Sequence, residues 1–131
     1  MINAGKTLVL DVDGTLCPVK ASGEAYADLV PAAAMVERLR EYRAEGYYII
    51  LQTSRNMRSY EGNLGLINAN TLPDLVDWLR RHEIPHDEIH VGKPWAGSDG
   101  FYVDDRAVRP AEFLELGADE ITARIERDRA C

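Results

Sequence analysis

The chain has 131 residues, 15 Lys and Arg against 22 Asp and Glu, a net charge of −7 and 46% hydrophobic residues. That length suits one domain with a sizeable core. The acidic balance argues against a nucleic-acid partner, which needs a basic face, and against an anionic membrane surface.

No apolar run is long enough to span a bilayer, and the start MINAGKTLVLDVD meets charge too soon for a signal peptide. Cys17 and Cys131 make no disulfide framework. The expectation is a cytoplasmic protein of a reducing compartment, with Cys131 exposed and inert and Cys17 a small packing residue.

The first β-rich run is Thr7–Leu10, ending at Asp11 and Asp13. A helix is predicted from near Pro31, a favoured first-turn residue, with Met35, Val36, Leu39 and Tyr42 on one stripe and Gly46 at its end. A second strand follows at Tyr47–Gln52. The stretch 55–70, rich in Gly and Asn, reads as a loop long enough to overhang the ends of the strands. Thr71 is the expected N-cap of a second helix, with Asp74 three residues on and Leu72, Leu75, Val76 and Leu79 as its stripe. The third strand is predicted at Glu88–Val91 and the fourth at Phe101–Asp104. A helix from about Pro110 through Phe113 and Leu114 to Gly117 follows, then a last one carrying Ile121 and Ile125, which pack at home or across a dimer.

Strand–helix alternation with unbroken apolar strands predicts an α/β fold with a central parallel sheet covered on both faces. No repeat, linker or low-complexity stretch interrupts residues 1–131, so a single domain is expected. Ligands of such sheets bind at the carboxyl ends of the strands. The first strand delivers Asp11 and Asp13 there, the second Thr53, Ser54 and Arg55, the third Lys93, and the fourth Asp104 and Asp105.

Clustered carboxylates become tolerable around a hard divalent cation. Mg²⁺ fits, because it takes oxygen ligands, keeps several waters and shares a substrate phosphate. Lys93 and the metal would offset the acidic charge and admit an anionic phosphate, as phosphoryl transfer requires. One carboxylate can then act as nucleophile and the other, two residues on, as general acid and base, with Gly14 freeing the turn between them.

These residues resemble the haloacid dehalogenase (HAD) superfamily of phosphatases. DVDGTL looks like its first motif, Thr53 after an apolar strand like its second, Lys93 like its third and VDDR like its fourth, all in order. The resemblance implies a three-layer Rossmann-like fold and a Mg²⁺-dependent phosphomonoesterase acting on a small phosphorylated metabolite. By the same resemblance, Asp11 is the nucleophile with one oxygen on the metal. Asp13 is the acid/base, its backbone carbonyl a metal ligand. Thr53 binds the phosphoryl group and Lys93 steadies it. Asp105 falls where the family places its acidic metal ligand, while Asp104 holds Lys93 or a metal-bound water; the two are interchangeable at this point.

Many members carry an inserted cap, and both intervals here are short, so the chain resembles the capless type. Such members act on large substrates or close the site by forming a homo-oligomer. Arg55, Arg58, Tyr60 and Asn63 are the candidates to read the leaving group, with Gly14 and Ser54 beside the phosphate. Against that, the plainer expectation for Arg55 and Arg58 is that they face solvent, although Arg suits anionic groups. VGKPW and DGFYVDDRAVRP are also similar to small phosphatases of bacterial capsule and surface-polysaccharide synthesis, which implies a sugar or polyol phosphate.

Other readings compete. Phosphomutase or phosphotransferase chemistry would need a second acceptor in place of water, whereas Asp13 supplies an acid/base for hydrolysis. A phosphate-binding regulator need not keep both Asp11 and Asp13. AGKT lacks the earlier glycine and strand of a phosphate-binding loop, and the residues after DVDG do not continue as a calcium loop. HEIPH, residues 82–86, matches a zinc pattern through His82 and His86, but Pro85 breaks the helix that motif needs. It reads better as a helix end and turn.

Overall fold

The computed structural model describes residues 5–129. They fall into two compact units, Met1–Trp95 and Ala96–Cys131. Cys131 lies outside the described residues.

The first unit is built on a parallel sheet of β1 (Thr7–Asp11), β2 (Tyr48–Gln52) and β3 (Glu88–His90), in that spatial order. The register sets Thr7 opposite Tyr48 and Asp11 opposite Gln52, and then Ile50 opposite Glu88 and Gln52 opposite His90. The three carboxyl ends are therefore level, and the segments that follow them start side by side. β1 is an edge strand. Leu10 is buried, whereas Val9, on the opposite face, is 56% exposed, so the expected cover on both faces is incomplete there.

Helix α1 (Ala33–Ala44) makes the crossover from β1 to β2 and buries Met35, Val36, Leu39 and Tyr42, the stripe its spacing predicts. Gly46, at φ +90°, turns the chain out of it in a conformation that L side chains resist. The Asp87 carboxylate accepts from the Ile49 backbone N–H at 2.8 Å and from Arg43 at 3.0 Å, which ties the start of β3 to β2 and to the end of α1.

The second crossover departs from expectation. Residues 55–70 are not a long loop. Turns cover 55–62, then the short helix α2 (Leu64–Leu66) runs through a π-helical turn (Ile67–Thr71) into α3 (Leu72–Arg81). Thr71 is not the N-cap: it is itself helical, and its hydroxyl donates to Asn56 Oδ1 at 2.7 Å. Asn63 caps instead, its side-chain oxygen accepting from the Leu66 N–H at 3.2 Å. The wider π turn ends two residues before Pro73, which has no N–H to give to the preceding turn, so the looser pattern absorbs a proline inside a continuous helical path. Leu75, Trp78 and Leu79 are buried, while Leu72 and Val76 are half-buried, which shifts the buried stripe toward Trp78.

In the second unit, the run 101–104 is not a strand. Phe101 and Val103 are 81% and 88% exposed. A β-prone composition describes fit to a pleated, half-buried surface, and outside a ladder it leaves only extended coil. The predicted helices are present as α4 (Pro110–Glu115) and α5 (Ala118–Asp128). Glu112 accepts from the Arg109 N–H at 2.9 Å, Glu120 from the Gly117 N–H at 3.2 Å, and an ion pair between Arg124 and Glu112 joins the two helices. Phe113 is buried, and Ile121 and Ile125 are half-buried.

Among the described residues, no helix is long and apolar enough to cross a membrane. The intervals 17–33 and 53–71 hold one 3₁₀ turn, tight turns and α2 with its π turn, with no inserted domain among the described residues.

Trp78 is 1% exposed and donates its indole N–H to the Leu29 carbonyl at 2.8 Å. Trp78→Ala is expected to lower the unfolding free energy by about 3–5 kcal/mol, read from urea denaturation. A loss below about 1 kcal/mol would mean that this indole does not hold α3 to the 3₁₀ turn.

Candidate functional site

The first unit carries its chemical groups at the carboxyl ends of its strands. At the end of β1 the backbone leaves the sheet in a tight turn. The Val12 side chain is fully buried, and its carbonyl accepts from the N–H groups of Thr15, Leu16 and Cys17 at 3.2, 2.8 and 3.3 Å. Gly14 makes the turn possible at φ +91°, and its N–H donates to the Cys17 carbonyl at 2.7 Å. An added Cβ there would lie 3.3 Å from Val19, so Gly14 is required by backbone shape and space.

This turn sets Asp11 and Asp13 in different company. One Asp11 oxygen receives the Lys93 ammonium at 3.3 Å, and the other receives the Thr15 hydroxyl at 3.1 Å. Asp13 is held by Arg55 through two bonds, Nη2 to Oδ1 at 2.8 Å and Nε to Oδ2 at 3.1 Å. A two-pronged guanidinium–carboxylate pair is the strongest geometry available to these groups. Each carboxylate thus has its own cation, drawn from a different strand end.

The end of β2 connects both. Thr53 is 1% exposed; its N–H donates to the His90 carbonyl at 2.9 Å and its carbonyl accepts from the Lys93 N–H at 3.1 Å. The Thr53 hydroxyl accepts from the Arg55 N–H at 3.0 Å, which bends the chain and sends the Arg55 side chain inward. Gly92, at φ +83°, leads into Lys93 in the irregular segment after β3. The structure therefore brings together Asp11, Asp13, Thr53, Arg55 and Lys93, with Gly14 as the hinge of the turn and Ser54 half-buried between Thr53 and Arg55.

Solvent exposure is not the fate of Arg55. Its side chain is 3% exposed, and its guanidinium lies 4.0 Å from the centre of the Tyr26 ring. Arg58 is exposed, 5.4 Å over the Trp95 ring, and Tyr60 is half-buried. Asn63 acts as a helix cap. Asp104 and Asp105 belong to the second unit: Asp104 accepts from the Arg106 N–H at 2.7 Å, and Asp105 pairs with Arg129 at 3.2 Å.

Sequence reasoning missed two participants. Thr15 was legible as part of DVDGTL, since a hydroxyl four residues after Asp11 returns to it once the turn closes. Tyr26 had no local signal, because its partner Arg55 is 29 residues away in the chain. Burial, followed by the nearby Asp13 charge, raises the Tyr26 phenol above its ordinary value. Cys17 is buried, with Sγ 3.6 Å from Asp13 Oδ1. Burial and the Asp13 carboxylate push its thiol up to about 12.

The donor set around Asp11 and Asp13 is all oxygen, which suits a hard cation that keeps water ligands, and Mg²⁺ needs only one or two protein carboxylates. Within the first unit, among the described residues, no group of three His, Cys, Asp or Glu side chains is placed to make a closed metal cage. The HEIPH stretch offers no zinc site: α3 ends at Arg81, Glu83 has φ +52°, and the His86 Nδ1 lies 2.8 Å from the Ile84 carbonyl. His82 and His86 therefore share no helical face.

No family model matches the chain, and no curated protein matches it. Among solved structures it is similar to an MCSG target from Vibrio cholerae, at 50% identity and TM-score 0.88, covering 94% of this chain and 98% of that one. It is also similar to the D,D-heptose 1.7-bisphosphate phosphatase of B. bronchiseptica, complexed with magnesium and phosphate. That likeness is 16% identical at TM-score 0.47, over 92% of this chain and 64% of the other, and is too remote to bear on activity.

Two outcomes check the electrostatics. A thiol raised to about 12 stays protonated at pH 8, so Cys17 is expected to resist iodoacetamide in the folded protein and to react only after unfolding, read by mass spectrometry of the Cys17 peptide. Arg55→Ala leaves the Asp13 carboxylate without its partner and is expected to cost about 3 kcal/mol of stability, against less than about 0.5 kcal/mol for exposed Arg58→Ala. Equal melting shifts for the two variants would show that the Arg55 pair contributes nothing.

Proposed function

We propose that this chain, which belongs to one family with the Vibrio cholerae protein, is a magnesium-dependent phosphomonoesterase of the haloacid dehalogenase type. It works through an aspartyl-phosphate on a small phosphorylated sugar or polyol. The observation that carries this reading is the convergence of three strand ends: Asp11 and Asp13 from β1, Thr53 and Arg55 from β2 and Lys93 after β3, with Lys93 3.3 Å from Asp11 and Arg55 2.8 Å from Asp13. The order of the motifs along the chain supports the same reading, and the similarity of VGKPW and DGFYVDDRAVRP to capsule phosphatases supports a surface-polysaccharide substrate.

In this reading Lys93 and the Thr53 region receive the phosphate dianion and hold its phosphorus in line with an Asp11 oxygen. Asp11 attacks phosphorus while the bond to the ester oxygen breaks, and Asp13, in its protonated form, donates its proton to that oxygen as it leaves. Asp13 then takes a proton from water. The resulting hydroxide attacks the phosphorus, the acyl-phosphate bond breaks, and Asp11 is regenerated with release of inorganic phosphate. Mg²⁺, when bound, neutralises charge on the phosphate oxygens. An Asp11 oxygen and the Asp13 backbone carbonyl would hold it. Thr15 keeps the second Asp11 oxygen in place.

Phosphate release from a panel of small monoesters tests this. Release is expected only with Mg²⁺ present and none with chelator. Asp11→Asn is expected to lower kcat about a thousandfold or more without unfolding, and Asp13→Asn by about a hundredfold or more. Mg²⁺-independent release, or full activity in Asp13→Asn, would overturn the assignment.

A further inference from the structure

The first unit holds a cavity of about 340 Å³ between the 3₁₀ turn (Tyr26–Asp28), the turns after β2 and the helical path through the π turn into α3. Its lining includes Tyr26, Arg55, Tyr60, Asn70, Asp74 and Asp77. We propose that this cavity is the subsite for the leaving group and that it takes a neutral polyhydroxylated chain while rejecting a second anionic group. The inference rests on the phosphomonoesterase reading above.

Position comes first. The group that protonates the leaving oxygen must stand beside it, and Asp13 has that role here. Arg55 is the wall shared by Asp13 and the cavity: its guanidinium is 2.8 Å from Asp13, lies against the Tyr26 ring, and lines the cavity. Asp13 itself does not line the cavity, so a leaving group in contact with Asp13 enters this space by passing Arg55 and Tyr26. The volume lies within the range of small-ligand pockets and admits a six-carbon polyol.

The chemistry of the lining sets what enters. Both nearby cations already have a carboxylate partner: Arg55 gives Nε and Nη2 to Asp13, and Arg81 is paired with Asp77 at 3.0 Å. Acceptors are left over. The Asn70 amide donates its N–H to the Leu66 carbonyl at 3.0 Å, which leaves its Oδ1 to accept. Asp74 is exposed on the first turn of α3, and among the described residues its carboxylate makes no hydrogen bond or ion pair. A carboxylate and an amide oxygen call for hydroxyl donors, Tyr60 can give or accept, and the Tyr26 ring gives an apolar wall for C–H groups. The same Asp74 charge repels a phosphate or carboxylate carried at the far end of the substrate.

The test compares kcat/KM for sorbitol 6-phosphate, fructose 1,6-bisphosphate and phenyl phosphate, with Mg²⁺, in wild type and three variants. In Asp74→Lys the ratio of sorbitol 6-phosphate to fructose 1,6-bisphosphate is expected to fall at least tenfold, and in Asp74→Asn at least threefold in the same direction. Glu37→Lys, a matched charge reversal on α1 outside the cavity, is expected to leave the ratio within twofold. Release from phenyl phosphate with an unmoved ratio in both Asp74 variants would overturn the subsite alone. An equal fall in Glu37→Lys would also overturn it, since the effect would then be the overall charge of the protein. No release by wild type from any of the three esters would overturn the phosphomonoesterase reading and the subsite with it.

Discussion

The site depends on a separation of two like charges by two cations. Asp11 and Asp13 stand two residues apart at the end of a strand, and unit charges a few ångströms apart near a protein surface interact by about 4 kcal/mol. The turn through Gly14 and the buried Val12 sends the two carboxylates to different partners, Asp11 to Lys93 and Asp13 to Arg55. Each pair is locally neutral. The cations come from the two other strand ends, so these pairs also join the three chain segments at the mouth of the sheet.

That arrangement works only because the sheet is parallel and in register. Level carboxyl ends put residues 53 and 93 beside the turn after β1, and backbone bonds between them finish the alignment. The Thr53 N–H goes to His90 and the Lys93 N–H returns to the Thr53 carbonyl. The same Thr53 hydroxyl redirects the chain so that Arg55 points inward. A charged side chain that is 3% exposed is tolerable because its charge is paired with Asp13 through two bonds and lies against the face of Tyr26.

Residue types that often signal chemistry are excluded here by their surroundings. Cys17 sits next to the site, yet burial and the Asp13 charge hold its thiol neutral, so it packs. His82 and His86 have the spacing of a metal pair on a helix, but the helix has already ended at Arg81. In each case a local motif is overruled by a hydrogen bond or a backbone conformation.

Much of this was legible in the sequence. The β-rich runs Thr7–Leu10, Tyr47–Gln52 and Glu88–Val91 located the three strands, and the spacing of Met35, Val36, Leu39 and Tyr42 located the face of α1. The rule that ligands collect at strand ends singled out Asp11, Asp13, Thr53, Ser54, Arg55 and Lys93, together with Asp104 and Asp105 after a fourth strand that is not present. These are properties of neighbours in the chain, carried by periods of two and 3.6 residues. The failures were of another kind. Phe101–Val103 has strand composition, but a strand exists only in a ladder, and composition does not supply one. Thr71 looked like a cap, but the helical path had already begun at Leu64. Arg55 looked like a surface residue until Asp13, 42 positions earlier, and Tyr26 closed around it. The sequence determined where each functional group stands along its own strand; only the tertiary structure decided which charge meets which, because pairing across tens of residues depends on the register and turns that bring separate strand ends to one place.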